Sequence, residues 1–167
     1  MDGRNARGSR HGGTPAAHLL AAVTGTGQAV TQLRVPDRGN EIACFTALLD
    51  PLYTGLVMTA DALHIQRNHA TFLVESKQAH YLLTVEGNRP RLHAALRVLP
   101  WTQCAAVRHD REAGHDRRET RSVRALTVTG PGPDLPHVVQ AAKILRHRTD
   151  TKNGKTTRQT LYAIPDT

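Results

Sequence analysis

The stretch TGLVMTADALHIQ at residues 54–66 constrains the possible folds of this chain more than any other. A short apolar run, Leu56 to Met58, leads to Asp61, and the sequence turns polar at His64. This pattern predicts a buried strand that ends at Asp61 and is followed by a helix. In open α/β sheets, ligands and metal ions bind at that end of a strand. An aspartate there also often only caps the next helix, so both roles stay open.

Length and composition indicate a globular domain with an anionic partner. The chain has 167 residues, of which 39% are hydrophobic and 22% charged, which is typical of a globular protein rather than a disordered one. Lys and Arg total 22 against 14 Asp and Glu, a formal net charge of +8, and nucleic acid is the usual partner for such a charge. A genome rich in G and C, which favours arginine, explains the same excess.

The two cysteines and the hydropathy indicate a cytoplasmic location. Cys44 and Cys104 are far apart in apolar surroundings, which favours reduced thiols over a disulfide framework or a zinc site. No apolar run approaches the roughly 18 residues of a membrane-spanning helix. The basic N-terminal residues are not followed by the apolar core of a signal peptide. We therefore expect no membrane partner.

The first hundred residues have the pattern of a mixed α/β domain. Residues 1–15 are rich in Gly and Arg and predict a loop, so Asp2 has no recognisable strand. Residues 16–35 predict two strands that form an antiparallel hairpin. Helices and strands then alternate, and we expect a helix at 40–49, a strand at 56–60, a helix at 64–75, a strand at 79–85 and a helix at 91–99. This order favours a mixed sheet in which the hairpin is followed by parallel strands joined by helices.

After Trp101 the sequence predicts antiparallel β structure. Residues 108–124 are dense in charge. Asn153-Gly154 is the strongest short signal of a β-hairpin turn. We expect strands at 125–129, 138–147 and 158–164.

A basic run surrounds Glu119 in this second half. It consists of Arg117, Arg118, Arg121 and Arg124. Such a cluster can bind the phosphates of a nucleic acid. The alternation of Arg117, Glu119 and Arg121 is equally expected of one solvated face of a strand, so both interpretations stay open.

Two aspartates are candidates for metal binding. Asp2 lies in an Asp-Gly-Arg sequence and Asp61 ends a predicted strand. Paired carboxylates at neighbouring strand ends can hold two Mg²⁺ ions, which activate a water or a 3′-hydroxyl and stabilise the leaving oxygen of a phosphodiester. A disordered terminal residue is the alternative for Asp2. His64 and His69 are five residues apart, which does not match the spacing of a helical zinc pair.

Several motifs resemble, in order, the DDE transposases of bacterial insertion sequences, in the group found beside recombination-hotspot proteins. They are DGRNARGS at 2–9, HLLAAV at 18–23, NEIACFTALLD at 40–50, VMTADALHIQ at 57–66, HYLLTVEGN at 80–88, VLPW at 98–101, GHDRRETR at 114–121 and TLYAI at 160–164. They cover essentially the whole chain. TADALHIQ, followed by the YLLTVEGN strand, is the most specific of them.

The resemblance implies a partial RNase H-like catalytic core at residues 1–100 and a β-rich insertion at residues 101–167. Such enzymes bind double-stranded transposon ends and target DNA, in some cases as homodimers. They perform Mg²⁺-dependent DNA cleavage and strand transfer with an Asp-Asp-Glu triad. Position by position, Asp2 matches the first acid and Asp61 the second, so both are expected to be catalytic metal ligands. The expected DNA contacts are Arg4, Arg117, Arg118 and Arg121, and the expected location is the bacterial nucleoid.

The chain departs from the family pattern at the third acid. In the family this acid lies on a helix, in a His-Trp-x-Ile-Glu motif that follows the strand matching TLYAI. The chain ends before that helix, and Glu119 is the downstream acid that remains as a candidate. Two family lysines are also replaced, one by Arg4 and one by Glu86. We therefore expect a transposase truncated at both ends and inactive alone, and the alternative is a non-catalytic DNA-binding remnant that competes with intact transposase.

Overall fold

The computed structural model describes residues 2–6, 9, 11–13, 16–37, 39–114, 116–129 and 133–167, and the side chains of Asp2 and Arg4 lie outside this description. The chain forms two compact units, residues 1–81 and 82–167. The predicted domains, residues 1–100 and 101–167, stay a prediction. No helix in the described part of the chain is long and apolar enough to cross a membrane.

The first unit contains a three-stranded antiparallel sheet. Its strands are β1 (Asp2–Asn5), β2 (His18–Val23) and β3 (Ala29–Arg34), in the order β1-β2-β3. The predicted hairpin of β2 and β3 is confirmed. The prediction of a loop at residues 1–15 is wrong for β1, in which Asp2 pairs with Ala21. A polar strand of four residues shows no hydrophobic alternation, and its pairing with β2 is not visible in the sequence.

Helix α1 (Glu41–Leu49) follows, as predicted. It begins after Asn40, whose side-chain oxygen accepts a hydrogen bond from the Ala43 N–H at 2.9 Å, which satisfies one of the unpaired donors of the first turn. The helix packs on β2 and β3 and buries Phe45 and Leu48 almost completely. It therefore carries much of the core of this unit.

Strand β4 (Val57–Ala60) ends just before Asp61, as predicted, and lies beside β5 (His80–Val85). The prediction that β4 is buried is wrong, because Val57 is 69% exposed and of the four residues only Ala60 is buried. An apolar run shows that a strand can be covered, but it does not show that both of its faces are covered.

The predicted helix at residues 64–75 is interrupted. It consists of a 3₁₀ turn at Ala62–His64, helix α2 (Arg67–Thr71) and a π-helical turn at Phe72–Ser76. Ile65 and Gln66 separate the first two because their ψ angles, 79° and 143°, are not helical. The hydrophobic period continues across this break, which is why it predicts a single helix.

The second unit is built on an antiparallel sheet of long strands, as predicted. They are β5 from residue 82 onward, β6 (Ala106–Gly114), β7 (Arg117–Thr127), β8 (Gln140–Asp150) and β9 (Thr156–Pro165), in the order β5-β9-β8-β7-β6. The charged residues 108–114 and 117–124 lie in β6 and β7, which pair as antiparallel strands. The predicted turn at Asn153-Gly154 joins β8 to β9, and Gly154 has a φ of +68°, which favours glycine.

Helix α3 (Pro90–Arg97) packs its apolar side into the second unit. Leu96 is fully buried, and Trp101, in a 3₁₀ turn after the helix, donates its indole N–H to the Leu96 carbonyl at 2.7 Å. With these helices and sheets the chain is a mixed α/β protein, in agreement with the coarse fold prediction.

Candidate functional site

Glu41 stands in the first turn of α1, and its carboxylate lies against strand β1. A Cβ added at Gly3 would overlap the Glu41 Oε1 atom. The close approach of the carboxylate to the backbone therefore requires glycine at this position. A negative charge in the first turn is also favoured by the helix dipole.

Two histidines contact the same carboxylate. The His18 Nε2–H donates to Glu41 Oε1 at 2.6 Å, and His64 Nε2 lies 3.5 Å from Oε2. On the opposite side of its ring, His18 Nδ1 lies 2.9 Å from Asn5 Oδ1. We call Glu41, His18 and His64 the Glu41 cluster. It links the first strands of the unit to the turn that follows β4.

His64 is the buried member of the Glu41 cluster, with 1% of its surface exposed. Burial is the main cause that lowers its pKa, the nearby His69 lowers it further, and the charges of Glu41 and Asp61 oppose this effect. The imidazole is therefore neutral at pH 7. Its Nδ1 atom has no hydrogen-bond partner among the described residues.

Aromatic rings pack beside the Glu41 cluster. Phe45 lies one turn after Glu41 on the same face of α1, with its ring centroid 3.8 Å from that of His69 in a stacked arrangement and 5.2 Å from that of His64. His69 contacts the carbonyl oxygens of His64 and Ile42, each at 3.1 Å. These contacts hold the residues after Asp61 against α1.

Asp61 itself is exposed and begins the 3₁₀ turn. Its Oδ1 atom accepts a hydrogen bond from the Ala62 N–H at 2.6 Å, so the capping role considered from the sequence is present. His64, a member of the Glu41 cluster, ends the same turn, so Asp61 lies close to the cluster. Asp2 precedes Gly3 in β1, and its side chain lies outside the described residues. Glu41 thus contacts both elements that carry the predicted metal ligands.

Two further features describe the surroundings of this site. A cleft of about 390 Å³ opens beside the cluster and is lined by His18, Asn40, Glu41 and Leu63, among others. In the described part of the chain, no three His, Cys, Asp or Glu side chains are arranged to hold a metal ion. The exposed carboxylate of Asp61 is a hard oxygen ligand of the kind that Mg²⁺ prefers.

In the second unit, the strand register sorts the charges of β6–β9 onto two faces, because cross-strand partners lie on the same face. The face that we call the acid-paired face carries Arg108, Arg117, Arg121, Arg146 and Arg148 together with Asp110, Glu112, Glu119 and Asp150. The other, which we call the basic face, carries Arg111, Arg118, Arg124, Lys143 and Arg158 with His109 and His147. Among the described residues of these strands, the basic face has no acid.

Glu119 is the centre of the acid-paired face. Its carboxylate accepts hydrogen bonds from Arg146 at 2.6 and 3.0 Å, from Arg121 at 2.6 Å and from Arg148 at 3.2 Å. Arg146 is the main cause, followed by Arg121 and Arg148, that lowers the pKa of Glu119 to about 2. A metal ion would have to displace these guanidinium groups. Glu119 and Asp61 also belong to different units.

The arginines predicted to contact DNA do not share one environment. Arg121 is bound to Glu119 and lies 3.6 Å from Glu112, and Arg117 is exposed on the same acid-paired face. Arg118 is exposed on the basic face. The side chain of Arg4 lies outside the described residues. Arginine content alone therefore did not separate the two faces of the sheet, whereas counting acids on alternate positions of each strand does.

On the basic face, the described residues separate into a covered and an exposed part. Arg124 donates to the Trp101 carbonyl at 2.7 Å, and the Lys143 ammonium lies 6.0 Å from the centre of the Trp101 ring. Arg111, Arg118 and Arg158 are exposed, and none of them forms an ion pair with a described residue. On this face, these three guanidinium groups remain available to an external anion.

Comparison with known proteins finds relatives but no matching family model and no matching solved structure. A protein of Escherichia coli strain K12 named "Putative transposase YncI" is 32% identical over 138 residues, 77% of this chain and 55% of that protein. The protein of the same name in E. coli O157:H7 is 32% identical over 138 residues, 35% of its length. An uncharacterized protein in the dhlA 3′ region of Xanthobacter autotrophicus is 33% identical over 132 residues, 44% of its length. The chain spans about half the length of these relatives or less.

The arginines around Glu119 predict a pH-dependent stability. Because the folded-state pKa of about 2 lies below the ordinary value of 4.5, Glu119 stabilises the fold above about pH 4.5, and this contribution is lost as the pH falls towards 2. We expect Glu119→Gln to lower the free energy of unfolding at pH 6, and the difference from the unmodified chain to shrink between pH 4.5 and 2. Urea unfolding at several pH values in this range measures the difference in the free energy of unfolding.

Glu112→Gln is the matched control for this experiment, since Glu112 has one 3.6 Å contact with Arg121. Its effect should be smaller and should change less with pH. A difference between Glu119→Gln and the unmodified chain that stays constant from pH 6 to 2 would contradict the prediction.

Proposed function

We propose that the chain is a transposase-related protein that binds double-stranded DNA through the basic face of its second unit. The observation that carries this proposal is the segregation of charge, which leaves exposed arginines and no acid on one face of β6–β9. The similarity to relatives named as transposases supports DNA as the partner. A net charge of +8 favours association with the same polyanion.

The layout of the basic face suits the phosphate backbone. Arg111, Arg118 and Arg158 come from β6, β7 and β9, and at about 4.8 Å between neighbouring strands they extend over about 14 Å across the sheet. A guanidinium group binds a phosphate through two parallel hydrogen bonds. Hydroxyl groups of Thr120 and Thr149 lie on the same face and add donors. Such contacts position DNA without reading its sequence.

We further propose that the first unit corresponds to the RNase H-like, DDE-type part of a transposase, the part that in an intact enzyme performs Mg²⁺-dependent cleavage and strand transfer, and that this chain alone binds the metal ion without completing the reaction. The resemblance of its motifs supports this proposal, with Asp2 and Asp61 as ligands. Bound Mg²⁺ supplies an activated water or 3′-hydroxyl and stabilises the leaving oxygen. The chain's own contribution at Asp61 is an exposed carboxylate whose Oδ1 is oriented by the Ala62 N–H. The orientation of the carboxylate is therefore set by a backbone group and not by a flexible side chain.

A second candidate function is a DNA-binding protein without chemistry, which competes with an intact transposase for transposon ends. The observation that favours it is that the basic face lies wholly in the second unit, so that DNA binding does not require Asp61. The two candidates differ in one measurable property, the binding of a divalent metal ion that depends on Asp61.

Removal of Arg118 is expected to weaken DNA binding, and removal of its neighbour Arg117 is not. Each phosphate contact contributes about 0.9 to the slope of log affinity against log salt. We therefore expect Arg118→Ala to reduce this slope by about 1 and the affinity about equally for all sequences. Fluorescence anisotropy with duplex DNA at several salt concentrations measures both.

Arg117→Ala is the matched control because it removes the same charge from the adjacent residue, on the acid-paired face. Its salt slope should remain close to that of the unmodified chain. Equal reductions in the two variants would show that overall charge, and not the basic face, governs binding, and the proposed interface would be rejected.

Replacement of Asp61 by asparagine is expected to reduce the affinity for Mn²⁺, used as a spectroscopic substitute for Mg²⁺. The amide oxygen can still cap the 3₁₀ turn, so the fold is preserved while a metal ligand is lost. The loss should exceed the roughly 10- to 100-fold cost of altering a residue that only supports a ligand. Titration followed by electron paramagnetic resonance measures the affinity.

Asp37→Asn is the control, since Asp37 is an exposed acid of the same unit that pairs with Arg34 at 3.2 Å. It should leave Mn²⁺ binding unchanged. If Asp61→Asn binds Mn²⁺ as well as the unmodified chain does, the catalytic proposal is wrong and the DNA-binding candidate is favoured.

A further inference from the structure

We propose that Glu41 is a positioning residue, which holds strand β1 and the turn after Asp61 in a fixed geometry. Its carboxylate has contacts to both elements, and the proposed function gives Glu41 itself no role. The inference rests on that function in one respect, that the two aspartates carried by these elements act together on one metal site. The contacts themselves belong to the first unit and stand without it.

The contact with β1 is made at two points. The carboxylate lies against the backbone of Gly3, where a Cβ would overlap Oε1. The same Oε1 accepts the hydrogen bond of His18, whose other ring nitrogen lies 2.9 Å from the Asn5 side chain. Both the second and the last residue of the four-residue strand are thus tied to Glu41. Because the strand is short, these contacts supplement a small number of ladder hydrogen bonds.

The contact with the Asp61 turn is made through His64. This residue ends the 3₁₀ turn that Asp61 begins, and its Nε2 lies 3.5 Å from Glu41 Oε2. His64 is 99% buried and packs beside Phe45 of the same helix, so its ring cannot follow a moving carboxylate far. A shift of Glu41 therefore breaks this contact and removes one constraint on the turn.

The chemistry of a carboxylate is suited to this double contact. Each of its two oxygens faces one imidazole Nε2, and both oxygens are acceptors. In glutamine one of the two positions becomes an NH₂ donor, so one histidine loses its acceptor. In aspartate the side chain is one methylene shorter and cannot reach both histidines from the same helical position.

The consequence concerns the metal site, because catalytic and metal-binding groups must be held within about 0.5 Å of their productive geometry. Asp61 is fixed by one backbone hydrogen bond of its own, and β1 by its pairing with β2. The carboxylate of Glu41 is what contacts both. Its loss is expected to relax the two elements together while the core around Leu48 stays intact.

Amide hydrogen exchange tests the geometric part. In Glu41→Gln we expect exchange to become at least about tenfold faster at the amides of β1 and of residues 62–65, with no comparable change in the second half of α1. Glu86→Gln, an exposed acid of the second unit, is the control and should change neither region. Faster exchange throughout α1, or in only one of the two regions, would overturn the proposal.

Mn²⁺ affinity tests the positioning role in a way that fold stability does not. Glu41→Gln should weaken Mn²⁺ binding about 10- to 100-fold, as for a residue that supports a ligand, and less than Asp61→Asn does. If binding depends on Asp61 and is unchanged in Glu41→Gln, the positioning role is wrong and the proposed function stands. If Mn²⁺ binding to the unmodified chain does not depend on Asp61, the proposed metal function fails. The hydrogen-exchange result then decides by itself whether Glu41 holds β1 and the turn after Asp61 in place.

Gly3→Ala provides a second variant in case Glu41→Gln does not fold. The new methyl group would overlap the carboxylate and displace it, and this should reproduce the faster exchange at residues 62–65, because the three atoms nearest to that methyl group all belong to Glu41. In a Glu41→Ala background, the added effect of Gly3→Ala should be at least about tenfold smaller, because the displaced group is gone. Additive effects of the two substitutions would overturn the proposal.

Discussion

Side chains of a β-strand alternate between two faces, and this alternation decides what the charges of the second unit can do. The strands β6–β9 are crowded with arginine, and a random distribution would place acids on both faces of the sheet. Instead the register gathers Asp110, Glu112, Glu119 and Asp150 on one face, where they neutralise neighbouring guanidinium groups. On the basic face, the positively charged side chains lie near one another. An anion that binds there relieves their repulsion, whereas on the acid-paired face it would have to compete with bound carboxylates.

The first unit uses a carboxylate differently. Glu41 is surrounded by two imidazoles and the backbone of a strand, and not by guanidinium groups, so its contacts are directional and part-buried. The requirement for glycine at position 3 follows from this approach. The glycine at position 3 therefore has a structural explanation that does not depend on the role of Asp2.

Local signals predicted those parts of the fold that local interactions determine. Asn40 before a helical period predicted the start of α1, and Asn153-Gly154 predicted the β8–β9 turn, because caps and tight turns depend on a few neighbouring residues. Strand β1 was missed because its pairing partner lies in β2, and the exposure of Val57 was missed because burial depends on what covers a strand. For the site, Asp61 at the end of β4 was predicted from the pattern. The Glu41 cluster was not, since Glu41 lies 23 residues from His18 and 23 from His64, and no local spacing rule connects them.

The environments of Glu41, Asp61 and Glu119 explain why their carboxylates are suited to different roles. Glu119 accepts hydrogen bonds from three guanidinium groups, and Glu41 faces two histidines and a strand backbone. A cation that approached either of them would first have to displace groups that already stabilise the negative charge. Asp61 is exposed, and its Oδ1 accepts a backbone N–H that orients the carboxylate without neutralising it. The carboxylate with the fewest partners is thus the one best suited to a metal ion, and the more heavily engaged Glu41 beside it is suited to holding the surrounding elements in place.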